Sequence, residues 1–254
     1  CGLVDRAALR PSGATPPAIL TGGPMNQFAR LTYLESSDNR SIALNENPTM
    51  TGPAPGGVRL AFDFRLSDDA ANAAAGGCCG SAADGMGIGL FATALYGVSG
   101  AVNPTGADWE RPHFPGAFTV GLDIFQNIDN VTINWNGAEI ASAELGGVFD
   151  LNNSLWHRMI VEVYPEGGNA KVDLSILGDV AGNTSIQQVF SGQPVPGLDL
   201  ASLPGYRLIA GGRTGGAYAA GDLDNISVEP IPEASTMALL SLGAGLFLVR
   251  RRTR

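Results

Sequence analysis

The chain has 254 residues; 44% are hydrophobic and only 15% charged, with 35 glycines and 16 prolines. That balance excludes disorder, which needs low hydrophobicity and high charge, and indicates a loop-rich globular protein. A net charge of −9, with arginine clustered only at the extreme C-terminus, argues against nucleic acid and anionic surfaces as partners.

Residues 1–24 are rich in Pro, Gly and Ala and read as a flexible lead-in. The chain opens on Cys1 without an initiator Met or a signal peptide. The export demanded by its C-terminal tail then implies an export signal that was cleaved or lies outside this chain. Cys1 fits either a lipid-bearing cysteine or a fragment boundary; the fragment is preferred, because a second membrane anchor would be redundant.

After the lead-in the signals are strands with turn punctuation. Val58–Leu66 alternates apolar and mostly polar positions, as a half-buried strand does. Cys78 and Cys79 are adjacent within a glycine-rich turn, so a vicinal disulfide is open to them in an oxidising compartment; no cysteine–histidine spacing points to zinc. Met86–Tyr96 reads as a strand buried on both faces, Phe118–Gln126 as another. Asn130–Asn136 alternates again, and Asn136-Gly137 predicts a hairpin turn into a return strand over Glu139–Ala143. Trp156–Tyr164 and Ala170–Leu177 are two more strands, joined by the Pro165–Asn169 turn. Gln187–Phe190 is short, Ser191–Gly205 reads as a long loop, and Tyr206–Ala210 and Asp222–Val228 close the domain. One all-β antiparallel sandwich over residues 25–229, with little helix outside the tail, is the expected fold. His157 is expected to be structural, and no Ser-His-Asp set can be assembled with His113 or His157.

The tail, residues 230–254, has three parts. Pro232 and Glu233 begin a short polar motif; Met237–Val249 is apolar on every side; Arg250, Arg251 and Arg252 begin a basic end. As a helix the apolar part is about 20 Å long, short for a bilayer core of about 30 Å unless flanking side chains extend it. Arginines after an apolar segment stay on the cytoplasmic side, so everything before them lies outside. This order of parts resembles the bacterial PEP-CTERM sorting signal, although Ala234 stands where that signal has its second proline. The resemblance implies membrane anchoring by the C-terminal helix, cutting by an exosortase-type enzyme, and delivery to the cell surface or its extracellular polysaccharide.

Three further segments, in order, resemble the legume-type (L-type) lectins of the concanavalin A-like jelly-roll fold: Ala83-Asp84-Gly85, Val120–Asn127 and Asn130–Gly137, with Asp84 preceding Asp123 by 39 residues. A weaker match, Leu208–Gly215, lies near the family's sugar loop. The resemblance spans residues 25–229. It implies sugar contacts from Asp84, Asn127, Gly212 and Thr214. It also implies calcium held by the carboxylates of Asp123 and Asp129, the Phe125 carbonyl and the Asn127 amide oxygen, since calcium takes six to eight oxygen ligands. Two family ligands for a neighbouring transition metal are replaced by Gly121 and Asn130, so none is expected. Trp109 and Phe114 are candidates for an apolar platform under a sugar ring. The corresponding strand carries Gly121, Asp123 and Gln126, where a retaining glycosidase needs two carboxyls about 5 Å apart, which argues against hydrolysis.

Three function classes remain open at this stage: a carbohydrate-binding surface protein, a structural matrix protein with a ligand-free sandwich, and, least favoured, a glycoside hydrolase.

Overall fold

A computed structural model describes residues 7–10, 16–45, 56–102, 108–125, 128–179, 186–200 and 205–232. The described strands form two antiparallel seven-stranded sheets. The first sheet holds, in spatial order, β1 (Ala7–Arg10), β4 (Asn39–Leu44), β13 (Tyr206–Arg213), β6 (Gly85–Ala92), β7 (Ala117–Asp123), β8 (Asn130–Trp135) and β9 (Ala138–Glu144). The second holds β12 (Ile186–Val195), β11 (Asn169–Leu177), β10 (His157–Glu166), β5 (Val58–Leu66), β14 (Gly221–Pro230), β3 (Gln27–Thr32) and β2 (Ala18–Thr21).

The period of two along each strand decides what lies between the sheets. From β5 come Leu60, Phe62 and Phe64, from β10 Met159 and Val161, and from β11 Val172, Leu174 and Ile176. They meet Met86, Ile88, Phe118, Val120, Leu122, Val131 and Ile133 of the first sheet in one continuous core. Two of the carboxylates buried on the second sheet's outer face are matched by arginine. Asp63 accepts two hydrogen bonds from Arg158 at 2.7 and 3.0 Å, and Asp222 is shared by Arg30 and Arg65. A buried carboxylate persists when its oxygens are paired in this way.

Local chemistry sets the hairpins. Asn136 and Gly137 both have positive φ, 50° and 85°, and close β8 onto β9. Gly167 and Gly168 do the same for β10 and β11, whose strands run closer to the turn than expected. Other expectations need correction. The strand expected through Tyr96 ends at Ala92 and gives way to one helical turn, α2 (Thr93–Tyr96). A second short helix, α1 (Asp69–Ala74), is capped by Asp68, whose carboxylate accepts from the Ala71 N–H at 2.8 Å. Strand β12 continues to Val195, into the segment expected to be loop. β1 and β2 fall within residues 1–24 and pair with β4 and β3, one on each sheet.

Pro232 lies two residues beyond the end of β14, whereas Glu233, the Met237–Val249 segment and Arg250–Arg252 lie outside the described residues. No helix among the described residues is long and apolar enough to cross a membrane.

Candidate ligand-binding site

Three glycines form a row across the outer face of the first sheet. Gly211 on β13 pairs with Gly87 on β6, and Gly87 with Gly121 on β7. Their chain neighbours Ala210, Ile88 and Val120 point into the core, so the glycines point away from it. The missing side chains leave a trough, and the segment 108–115 lies in it as a strap. A Cβ on Gly211 would stand 2.1 Å from the Trp109 ring, and one on Gly87 2.3 Å from the Trp109 carbonyl oxygen. The Thr119 hydroxyl donates to the Pro112 carbonyl at 2.7 Å and fastens the strap to β7. Trp109 is fully buried and packs on Phe91 and Phe114, with Ala43, Ala117 and Ile209, as a second small core on this face. The two aromatics expected as a sugar platform are therefore core residues.

The strap delivers charge to one end of the sheet. Arg111 Nε donates to Asp123 Oδ2 at 2.7 Å, while the other oxygen of Asp123 accepts the Phe125 N–H at 3.0 Å. Asp108 and Glu110 both meet Arg213, which ends β13; the Asp108 contact is 2.8 Å. Glu110 is buried with one carboxylate oxygen unpartnered, and burial pushes its carboxyl up to about 7.

Asp84 lies at the centre of this end. Its N–H donates to the Arg213 carbonyl at 3.1 Å and its carbonyl accepts from the Ile124 N–H at 3.0 Å, so it bridges β13 and the end of β7. The Ala83–Asp84 peptide bond is cis. Burial raises the pKa of Asp84, Arg213 opposes the rise from 3.4 Å, and Asp123 and Asp108 add to it. Gly215 lies over the carboxylate: a Cβ there would stand 3.4 and 3.5 Å from its two oxygens. The 214–216 arm is held by Ser37, whose N–H donates to the Gly215 carbonyl, and by Cys78, whose N–H donates to that of Gly216, both at 3.0 Å. The exposed thiols of Cys78 and Cys79 lie 2.6 Å apart beside this arm.

Asp84 and Asp123, predicted from the sequence, thus come together at one sheet end, joined by Arg213, Glu110 and Arg111. Gly212 and Thr214 have internal positions. A Cβ on Gly212 would stand 2.6 Å from a methyl of Thr32 on the opposite sheet. The buried Thr214 hydroxyl donates to the Glu35 carbonyl at 2.7 Å and accepts from the Asp38 N–H at 3.1 Å. Asn127 lies outside the described residues. A signal for the strap was present in the sequence: Asp108-Trp109-Glu110-Arg111 is dense in charge for this chain.

The carboxylates expected as calcium ligands have protein partners in this structure. Both oxygens of Asp123 are engaged by Arg111 and Phe125. Asp129 accepts from the Leu151 N–H at 3.4 Å, and burial, then Asp150 and Asp69, push it up to about 6. At the expected transition-metal positions, Gly121 lies under the strap and Asn130 hydrogen-bonds Ser142 at 3.2 Å. No group of three or more His, Cys, Asp or Glu among the described residues is placed to hold a metal ion. His157 is buried between the rings of Phe64 and Phe149; its Nδ1 accepts from the Asp179 N–H and its Nε2 faces Asn153 Oδ1, and burial lowers it to about 4.

No protein-family model matches this sequence, and no curated protein matches it. Solved structures do resemble the fold. The exoplasmic/lumenal domain of VIP36, in its form bound to calcium and Man3GlcNAc, aligns at 13% identity over 90% of this chain and 87% of that one, with a TM-score of 0.58. Lectin II from Ulex europaeus aligns at 11% identity over 88% and 92%, with a TM-score of 0.52. A legume lectin-like domain from Entamoeba histolytica aligns at 7% identity over 91% and 92%, with a TM-score of 0.50. The fold is that of the legume-type, concanavalin A-like lectin domains.

Proposed function

We propose that the protein is a non-catalytic carbohydrate-binding protein that holds its ligand at the Asp84 end of the first sheet. One observation carries this reading. The Asp84 carboxylate is fixed between two strands under Gly215, with Oδ2 buried against Arg213 and 13% of the side chain still open to solvent. A carboxylate so placed accepts hydrogen bonds from sugar hydroxyls. The half-exposed Phe125 ring stands next to this end and offers an apolar surface to a sugar ring. Lectins among the structural neighbours, one of them solved with a mannose-containing glycan, support the class of ligand.

The same proposal includes the route outward. The chain is exported, anchored by the Met237–Val249 helix, cut near Pro232-Glu233 by an exosortase-type enzyme, and retained at the cell surface or in extracellular polysaccharide. The three-part order of residues 230–254 supports this.

A calcium-assisted form of the site would use Asp123, the Phe125 carbonyl, Asn127 and Asp129. Their spacing and the calcium in VIP36 structures favour it; the engagement of Asp123 by Arg111 opposes it. A structural-matrix role is the second reading, favoured by the strap that covers part of the first sheet's outer face. A glycan array probed with the wild type and Asp84→Asn, with and without calcium, separates these readings. Wild-type binding lost in the variant supports carbohydrate recognition, and no retained glycan in any condition leaves the matrix role.

A further inference from the structure

We propose that Arg111 supplies, from within the chain, the positive charge that a divalent cation would otherwise supply to Asp123. The ligand-binding end of the sheet is then assembled without metal. This rests on the carbohydrate-binding reading for its purpose but not for its geometry. Arg111 Nε lies 2.7 Å from Asp123 Oδ2, and Asp123 Oδ1 receives the Phe125 N–H at 3.0 Å. The chain of contacts therefore runs from Arg111 to Asp123 to the backbone of Phe125, and fixes how the chain leaves β7. A metal ion would fix the same turn by binding the same carboxylate.

Gly121 links the two observations that matter. In the resembling lectins this position carries a metal-ligating glutamate. Here a Cβ on Gly121 would stand 2.3 Å from the Glu110 carbonyl oxygen and 2.7 Å from the Pro112 ring, so any side chain would displace the strap. The residue that removes a metal ligand is also the one that admits the segment bringing Arg111. The charges agree with this assignment. Arg111 and Arg213 stand among Asp84, Asp108, Glu110 and Asp123, and Arg111 faces Asp123 while Arg213 takes the other three. A guanidinium has a fixed fork of donors and remains charged at any working pH, so Asp123 is held whether or not calcium is present. Arg111 is a positioning residue in this proposal; the Asp84 carboxylate meets the sugar.

The test uses the wild-type protein, Arg111→Gln and Arg111→Lys, with thermal unfolding and calorimetry as readouts, followed by glycan retention. The wild type is expected to give no heat with millimolar calcium chloride and no change in Tm with calcium or EDTA. Arg111→Gln is expected to lower Tm by about 2 °C, the scale for losing a half-exposed ion pair in a domain of this size, and Arg111→Lys to restore part of that loss. A saturable calcium heat or a calcium-dependent rise of wild-type Tm would overturn the proposal in favour of the calcium form. A silent Arg111→Gln variant, with Tm and glycan retention unchanged, would overturn it as well. Failure of the wild type to retain any glycan would sink the carbohydrate reading instead, and the calcium and Tm results would still decide the role of Arg111.

Discussion

The carbonyl oxygen of Glu110 lies where a side chain at Gly121 would begin: a Cβ built there would stand 2.3 Å away. Main chain on main chain cannot yield as a flexible side chain can, so the contact is available only to glycine. Gly121→Ala should lift the strap, expose Trp109 and destabilise the fold by roughly 2–4 kcal/mol, the range for overpacking combined with lost burial. Near-ultraviolet circular dichroism should lose the signal of a rigid Trp109. Gly146 is the control. A Cβ there meets nothing closer than 3.6 Å, so Gly146→Ala should stay within about 1 kcal/mol of the wild type. Equal losses at both positions would show that the strap does not depend on Gly121.

The strap also marks the limit of what sequence patterns convey. Val58–Leu66 was legible to the residue, because its alternation records which side faces the core. Asn136-Gly137 was legible because positive φ at both positions is a local demand. The approach of Asp84 to the end of β7 was anticipated by the order of the motifs, and the Asp84–Ile124 hydrogen bond is where they meet. Trp109 gives no such record. Whether an aromatic ring lies under a sugar or in a glycine trough depends on strands far away in sequence. Thr214 is similar: its hydroxyl is consumed by Glu35 and Asp38, a latch formed only when distant segments meet. β1, β2, β3 and β4 were not read from the sequence; β1 and β2 lie in the proline- and glycine-rich stretch taken as a lead-in.

Two buried groups give stability a pH dependence of opposite sign. Glu110 is raised from 4.5 to about 7. Between those values the native state holds a proton that the unfolded chain has released, so stability falls as pH rises. His157 is lowered from 6.5 to about 4. There the unfolded chain holds the extra proton, so stability rises with pH across that window. The slopes oppose each other between about 4.5 and 6.5. Glu110→Gln should remove the first of these slopes. It should match the wild type near pH 4.5 and exceed it by on the order of 2 kcal/mol at pH 8. Urea unfolding at a series of pH values measures this, and a difference that does not change with pH would contradict the assignment.

The tail makes a prediction in mass. If residues 230–254 are a sorting signal, protein extracted from the cell surface should end near Pro232-Glu233 and lack Arg250, Arg251 and Arg252. Intact-mass analysis reads this directly. Replacing the three arginines with glutamine should leave uncut precursor in the membrane fraction, because the basic end is what holds the apolar segment's orientation. Surface protein that retains its terminal arginines would remove the sorting assignment without touching the sandwich.

The last prediction concerns Asp84. Its carboxylate lies under Gly215, with Oδ2 buried 3.4 Å from Arg213 Nε and the side chain as a whole 13% exposed. A sugar hydroxyl arriving at the solvent-facing part of the carboxylate finds an acceptor already fixed by main-chain bonds to Arg213 and Ile124. Asp84→Asn keeps the shape but replaces an acceptor-only group with an amide whose NH₂ can only donate, and it removes a negative charge facing Arg213. A single open site of this kind should bind weakly, so retention should be measured on a multivalent glycan surface, where many displayed copies act together. The variant should lose retention at least tenfold with little change in Tm, since removing the carboxylate also removes the cost of burying it. Gly215→Ala should give a milder loss, because its methyl would crowd the carboxylate without displacing it. If Asp84→Asn retains glycan as well as the wild type does, the sugar is held elsewhere, and the end of the sheet assembled by Arg111, Arg213 and Glu110 is structural.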